Sequence, residues 1–173
     1  MPMPDAIAEI AASLALAVAF AAHAEALNID HAAALVVDAA NDFRREHRLP
    51  ALERNARLTD TAREFAEYMA KTDRLSHTAD GREPAQRVQS HGYDYCMVAE
   101  NIGYRFDSRG FASVEPLVHG FLDGWKRSAG HRQNLLDREA LETGAGVARS
   151  PKSGRYYAVQ LFGRRATKGH TCG

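Results

Sequence analysis

Three short polar runs interrupt otherwise apolar stretches, and they carry the side chains able to do acid-base, nucleophilic or metal chemistry. They are Leu75-Ser76-His77, then Ala99-Glu100-Asn101-Ile102-Gly103, then the longer run from Trp125 through Ser128, Gly130, His131, Arg132 and Asn134 to Leu136. Such runs supply imidazoles and carboxylates, and two neutral imidazoles plus one carboxylate suffice for a zinc site that keeps an open water position. The same groups can instead hydrogen-bond one another as a network that pins a strand to two loops, because buried polar groups need partners. Ser128 and His131 are three residues apart, a spacing that meets on one helical turn. With Glu100 as the orienting acid they would imitate a Ser-His-acid hydrolase, although no recognisable oxyanion hole accompanies them. Asn101 and Asn134 read as residues that tie down backbone beside these groups, and Arg132 as a surface or carboxylate-pairing group. Trp125 stands at core spacing with Phe121 and Leu122 and reads as packing. His31, His47, His91, His119 and His170 show no partner pattern.

Other chemistries lose support. The chain has no glycine-rich phosphate loop followed by Lys-Ser/Thr, no His-Glu-x-x-His, no Cys-x-x-Cys and no Gly-x-Ser-x-Gly. Its 22 basic and 22 acidic residues balance, so no field concentrates nucleic acid or an anionic membrane.

The elements that must position the three runs follow from periodicity. From His31 to His47, Leu35, Val36, Ala39, Ala40 and Phe43 recur at helical spacing with charged residues on the other faces. Leu49-Pro50-Ala51-Leu52 breaks that helix, and Leu58, Ala62, Phe65, Ala66 and Met69 mark a second, capped by Thr59 or Asn55. A polar turn from Ser76 to Gly81 precedes a short helix over Glu83 to Gln89, with Pro84 at an early position. Tyr95 to Tyr104 suits a short strand, and Val114, Leu117, Val118, Phe121, Leu122 and Trp125 return to helical spacing as a third long helix. Gly144 to Arg149 and Tyr156 to Phe162 flank Ser150-Pro151-Lys152-Ser153-Gly154 and predict a hairpin with a polar tip. The order predicts mixed α and β, with a small sheet drawn mainly from the last third and covered by helices.

At 173 residues the chain suits one domain with a substantial core. Residues from Ile7 to Ala22 are nearly all apolar, and Ala22-His23-Ala24 has the small-x-small form of a signal-peptidase site. The expectation is a signal peptide over residues 1–24, cleaved after Ala24, although its leading part, Met1 to Glu9, contains Asp5 and Glu9 and no Lys or Arg. The alternative is an uncleaved amphipathic helix or anchor, yet the run is shorter than the ~20 residues a bilayer span requires. Cleavage leaves 22 basic against 20 acidic residues and no transmembrane span in the mature chain. The cysteines, Cys96 and Cys172, are an even pair in an exported chain and suggest one disulfide, worth roughly 4 kcal/mol by chain entropy. Two unrelated thiols are the alternative.

The order and form of the three polar runs resemble the CAP superfamily of cysteine-rich secretory, antigen 5 and plant pathogenesis-related proteins, and its bacterial members most closely. The resemblance extends from about Val36 to Phe162 and includes Asn41-Asp42-Phe43-Arg44, Leu49-Pro50-Ala51-Leu52, Gly144-Ala145-Gly146-Val147 and the strand from Tyr157. It implies an α+β fold, a three-layer α-β-α sandwich with a small, mainly antiparallel sheet, as one domain over 25–173 with its core at about 33–165. It also implies a cleft of two histidines, matching His77 and His131, and two acids, the first matching Glu100. The second acid position, three residues after Trp125, is Ser128, which removes one carboxylate and some affinity for zinc or another divalent cation. Members of the family are extracytoplasmic with varied roles, some binding lipids or sterols, and share no common reaction. The expectation is therefore a periplasmic or secreted binding or interaction module. Its partners would be a lipid, a sterol or an extracytoplasmic protein, and no nucleic acid. A metal-dependent or Ser-His-Glu hydrolase and a structural envelope protein are the alternatives.

Overall fold

A computed structural model describes residues 27–166 and Cys172; the expected signal segment 1–24 lies outside the described residues. Five helices and four strands follow in the order α1 (Ile29–Glu46), β1 (Glu53–Arg54), α2 (Ala56–Thr72), α3 (Pro84–Ser90), β2 (Tyr95–Arg105), α4 (Val114–Arg127), α5 (Ala129–Leu135), β3 (Glu142–Arg149) and β4 (Tyr156–Arg165). The sheet order is β1-β3-β4-β2, with β1 parallel to β3 and the other neighbours antiparallel. The predicted C-terminal hairpin thus supplies the two central strands.

Helices cover both faces, which makes the three layers. On one side α1, α4 and α5 pack Val36, Ala40, Phe121, Trp125 and Leu135 against Ala145, Val147, Ala158 and Phe162 of β3 and β4. On the other, α2 and α3 pack Leu58, Phe65, Met69 and Val88 against Ile102, Tyr157, Val159 and Leu161. Alternate residues of β4 therefore serve opposite cores, and for that reason its stretch from Tyr156 to Phe162 is apolar apart from Gln160.

Local chemistry sets the helix ends. Asn55 caps α2 by accepting from the amides of Arg57 and Leu58, so Asn55 and not Thr59 fills that role. Asn28 does the same for α1 through His31 N–H. Two elements escaped the periodicity. The strand β1 is two residues long, too short to show alternation, and α5 buries only Leu135, too little for an apolar stripe. Cys96 and Cys172 are joined as a disulfide with 5.1 Å between their Cα atoms, tying the C-terminal tail to β2.

Candidate functional site

Strand β2 is an edge strand, and the three polar runs meet on it. Its side chains alternate between faces. Glu100 points to the α2/α3 side and Asn101 to the α4/α5 side, and both are buried. Glu100 accepts from His77 Nδ1 through Oε1 at 2.8 Å and from Arg87 Nη2 through Oε2 at 2.9 Å. Asn101 donates to His131 O at 3.1 Å and accepts from Asn134 Nδ2 at 2.9 Å. The loop after α2 and the helix α5 thereby bring the His77 and His131 rings to 6.4 Å between centroids. His77 remains about half exposed, at 47 %, while the Glu100 side chain beneath it is 2 % exposed.

The third run has a second task. Asn134 Nδ2 also donates to Glu100 O at 3.2 Å, and Trp125 Nε1 donates to Ile102 O at 3.0 Å. These are the outward carbonyls of the edge strand, so the two side chains occupy acceptors that would otherwise recruit another strand. Asn101, Asn134 and Trp125 therefore sit as the sequence reading placed them, tying backbone and packing the core. Arg132 lies over the Phe43 ring at 5.0 Å and donates to His47 Nε2, and among the described residues it has no carboxylate partner.

Arg87 was not anticipated, and it organises the site. Its side chain is 2 % exposed, and its guanidinium reaches Glu100, Asp80 Oδ1 at 2.8 Å, Arg82 O at 2.6 Å and His77 O at 2.8 Å while stacking on Phe65. One residue thus fixes both the backbone that carries His77 and the acid that holds its ring. Burial would raise the Asp80 pKa, but the Arg82 amide and the charge of Arg87 hold it below its ordinary value. The signal available in the sequence was Glu100 itself, a carboxylate inside an apolar strand, which demands a buried cation.

Ser128 ends α4 and begins α5, and among the described residues its hydroxyl bonds neither imidazole nor Glu100. The described residues also contain no group of three His, Cys, Asp or Glu side chains placed to hold a metal. Glu100 has each oxygen engaged, one with an arginine, so zinc held by His77, His131 and Glu100 would have to share the carboxylate with those partners and sit near a fixed positive charge. As arranged, the residues do not fit a three-ligand zinc centre.

Burial, and then the neighbouring His77, lower the His131 pKa from its usual 6.5. The unfolded chain consequently binds more protons than the folded one just below that value. The stability associated with neutral His131 is present above about pH 6.5 and is lost as pH falls toward the folded pKa. Thermal unfolding followed from about pH 7.5 to about pH 5 should show this decline, and His131→Asn should flatten it. An unchanged slope in the variant would show that His131 does not carry it.

With this geometry established, comparison with known proteins decides the family: the cysteine-rich secretory protein (CAP) profile matches residues 37–162. The chain belongs to the CAP family. Among curated proteins, this CAP domain is 28 % identical over 130 residues to an uncharacterized membrane protein of Bacillus subtilis, covering 75 % of this chain and 34 % of that protein. It thus spans about a third of that relative's length. Among solved structures, an outer surface protein of Borrelia burgdorferi aligns with a TM-score of 0.69 and 18 % identity, covering 81 % of this chain and 97 % of the other. An extracellular protein with an SCP domain from Bacillus anthracis aligns at 0.66 and 24 %, covering 79 % and 41 %. These likenesses establish the α-β-α sandwich fold. No helix among the described residues is long and apolar enough to cross a membrane.

Proposed function

We propose that this CAP domain acts outside the cytoplasm as a binding or interaction module, with His77 and His131 as the accessible groups of its cleft and Glu100 as their anchor. The observation that carries this reading is the double engagement of Glu100 by His77 and Arg87. A carboxylate held from both sides orients an imidazole and is poorly placed to ligate a metal or exchange a proton. Export is supported by the apolar N-terminal run ending at Ala22-His23-Ala24, by the disulfide, and by the extracellular and surface proteins that share the fold. Periplasm and external medium fit these features equally. The varied lipid, sterol and protein partners of the family define the ligand classes to test.

One observation favours a hydrolase as the second reading: His131 is kept neutral, the form a general base needs. Both readings are separated on the purified protein by two measurements. Binding of a fluorescent sterol and of a fluorescent fatty acid is compared among the wild type, His77→Ala and His131→Ala. Turnover of an activated ester and of a casein substrate is measured with and without chelator. The binding reading expects a ligand whose affinity both variants weaken, and no turnover above buffer. Turnover lost with His131→Ala or with chelator would replace it with the hydrolase. Variants that only lower the melting temperature, with no ligand bound by the wild type, would leave the cleft a structural network.

A further inference from the structure

A second site lies at the C-terminal end of α1, where that helix meets the end of α5. Arg44 is 1 % exposed and sits in the last turn of α1. Its Nε donates to Pro50 O at 2.9 Å, and its Nη1 to Leu135 O at 3.0 Å and Asp137 O at 2.8 Å. Among the described residues Nη2 has no hydrogen-bond partner, and no carboxylate forms an ion pair with the guanidinium. A buried arginine without a counter-ion is unusual, because removing an unpaired charge from water costs several kcal/mol per ion. Burial accordingly lowers its pKa, with only Asp137 opposing.

Arg44 lines a cleft of about 260 Å³ whose other charged residues are Arg48 and Arg138, with no Asp or Glu in the lining. Asp137, whose charge acts on Arg44, accepts from the Glu139 amide, and Glu139 pairs with Arg164. Arg48 is placed there at a conformational cost. Its φ is 58°, the left-handed position that closes α1 and that glycine normally fills. The amides of Arg48 and Leu49 bond Arg45 O and Arg44 O in the closing turn. The cleft continues past Pro50, Ala51 and Leu141, the last 56 % exposed, into a larger one whose far side carries Glu53, Glu142, Arg164 and Arg165.

We propose that the Arg44–Arg48–Arg138 cleft binds one oxyanion, a phosphate or carboxylate group, whose apolar substituent lies along Pro50 and Leu141. Arg44 Nη2 supplies a fixed donor, and the two exposed arginines close on the anion with charge-assisted bonds. The apolar wall separates this from a site for free inorganic anions.

The test is a two-dimensional amide NMR titration of the purified protein with inorganic phosphate, hexyl phosphate and hexanoate. Saturable shifts around Leu49 to Leu52 and Arg138 to Leu141 are expected, and hexyl phosphate should bind at least tenfold tighter than inorganic phosphate, as burial of several methylenes predicts. Comparison with hexanoate tells which head group is preferred. Arg48→Gly should weaken binding roughly tenfold without lowering the melting temperature, because glycine suits the left-handed position, and Arg138→Ala should weaken it similarly. His77→Ala should leave it unchanged, which keeps this site distinct from the histidine cleft. No saturable shifts, or affinities unaffected by both arginine variants, would overturn the anion site. Equal affinity for phosphate and hexyl phosphate would overturn the apolar subsite.

Discussion

Replacing Arg87 with leucine is expected to destabilise the protein by about 3–5 kcal/mol, a large share of the roughly 5–15 kcal/mol that holds a domain folded. The cost comes from what the substitution strands. Glu100 and Asp80 are both nearly excluded from solvent at their side chains; Glu100 loses its guanidinium partner, and Asp80 is left with Arg82 alone. The carbonyls of His77 and Arg82 lose a donor at the same time. Leucine can still pack on Phe65, so lost apolar contact is the smaller part. Arg87→Lys keeps the charge but cannot fork between two carboxylates and two carbonyls, and it should fall between the wild type and leucine. Pairing Arg87→Leu with Glu100→Gln should recover part of the loss, since the second change removes the buried charge that the first leaves unpaired. Chemical denaturation of the four proteins measures these terms. A leucine variant within about 1 kcal/mol of the wild type would show that solvent, and not Arg87, compensates Glu100.

The network also shows which parts of the site could be read in advance. Helical and strand periodicity placed α1, α2, α4 and the β3–β4 hairpin, because each buries a stripe or a face large enough to leave a pattern. Family resemblance then pointed to His77, Glu100 and His131 as one cleft, and the rings do approach across β2. What remained hidden was which group answers which. An arginine in a seven-residue helix looks like any solvated cation until the fold places it over Phe65 and under Glu100. Likewise Arg44 reads as the charged face of an amphipathic helix, yet it is 1 % exposed and staples α1 to the end of α5. Periodicity assigns arginine outward, and long-range carbonyl acceptors separated by more than 90 residues override it. Ser128 was legible as an absence, one carboxylate fewer in the cleft, but its place at the junction of α4 and α5 depends on a helix too polar to be foreseen.

Gly146→Val should be the other severe substitution, at about 3 kcal/mol or more, and its cause is backbone meeting backbone. A Cβ at Gly146 would fall on the Ala62–Arg63 backbone of α2, and one at Gly144 on the Leu58–Thr59 backbone. Neither glycine has a positive φ, so the requirement is space and not conformation. These two positions set how closely α2 lies on β3. A flexible side chain could swing away from an added methyl, but here the obstacle is a helix held by Asn55 at one end and by the packing of Leu58, Phe65 and Met69 along its length. Even Gly146→Ala should cost about 1–3 kcal/mol. Gly130→Ala, with nothing within 4 Å of the added carbon, should cost nothing and gain up to ~1 kcal/mol from helix propensity. The consequence reaches the cleft, because α2 carries Phe65 against Arg87, and Arg87 carries Glu100 and the His77 backbone. Lifting α2 should therefore also shift the His77 ring resonances in NMR spectra of the still-folded Gly146→Ala protein. Unchanged His77 signals in a clearly destabilised variant would mean that the height of α2 on the sheet and the geometry of the cleft are independent.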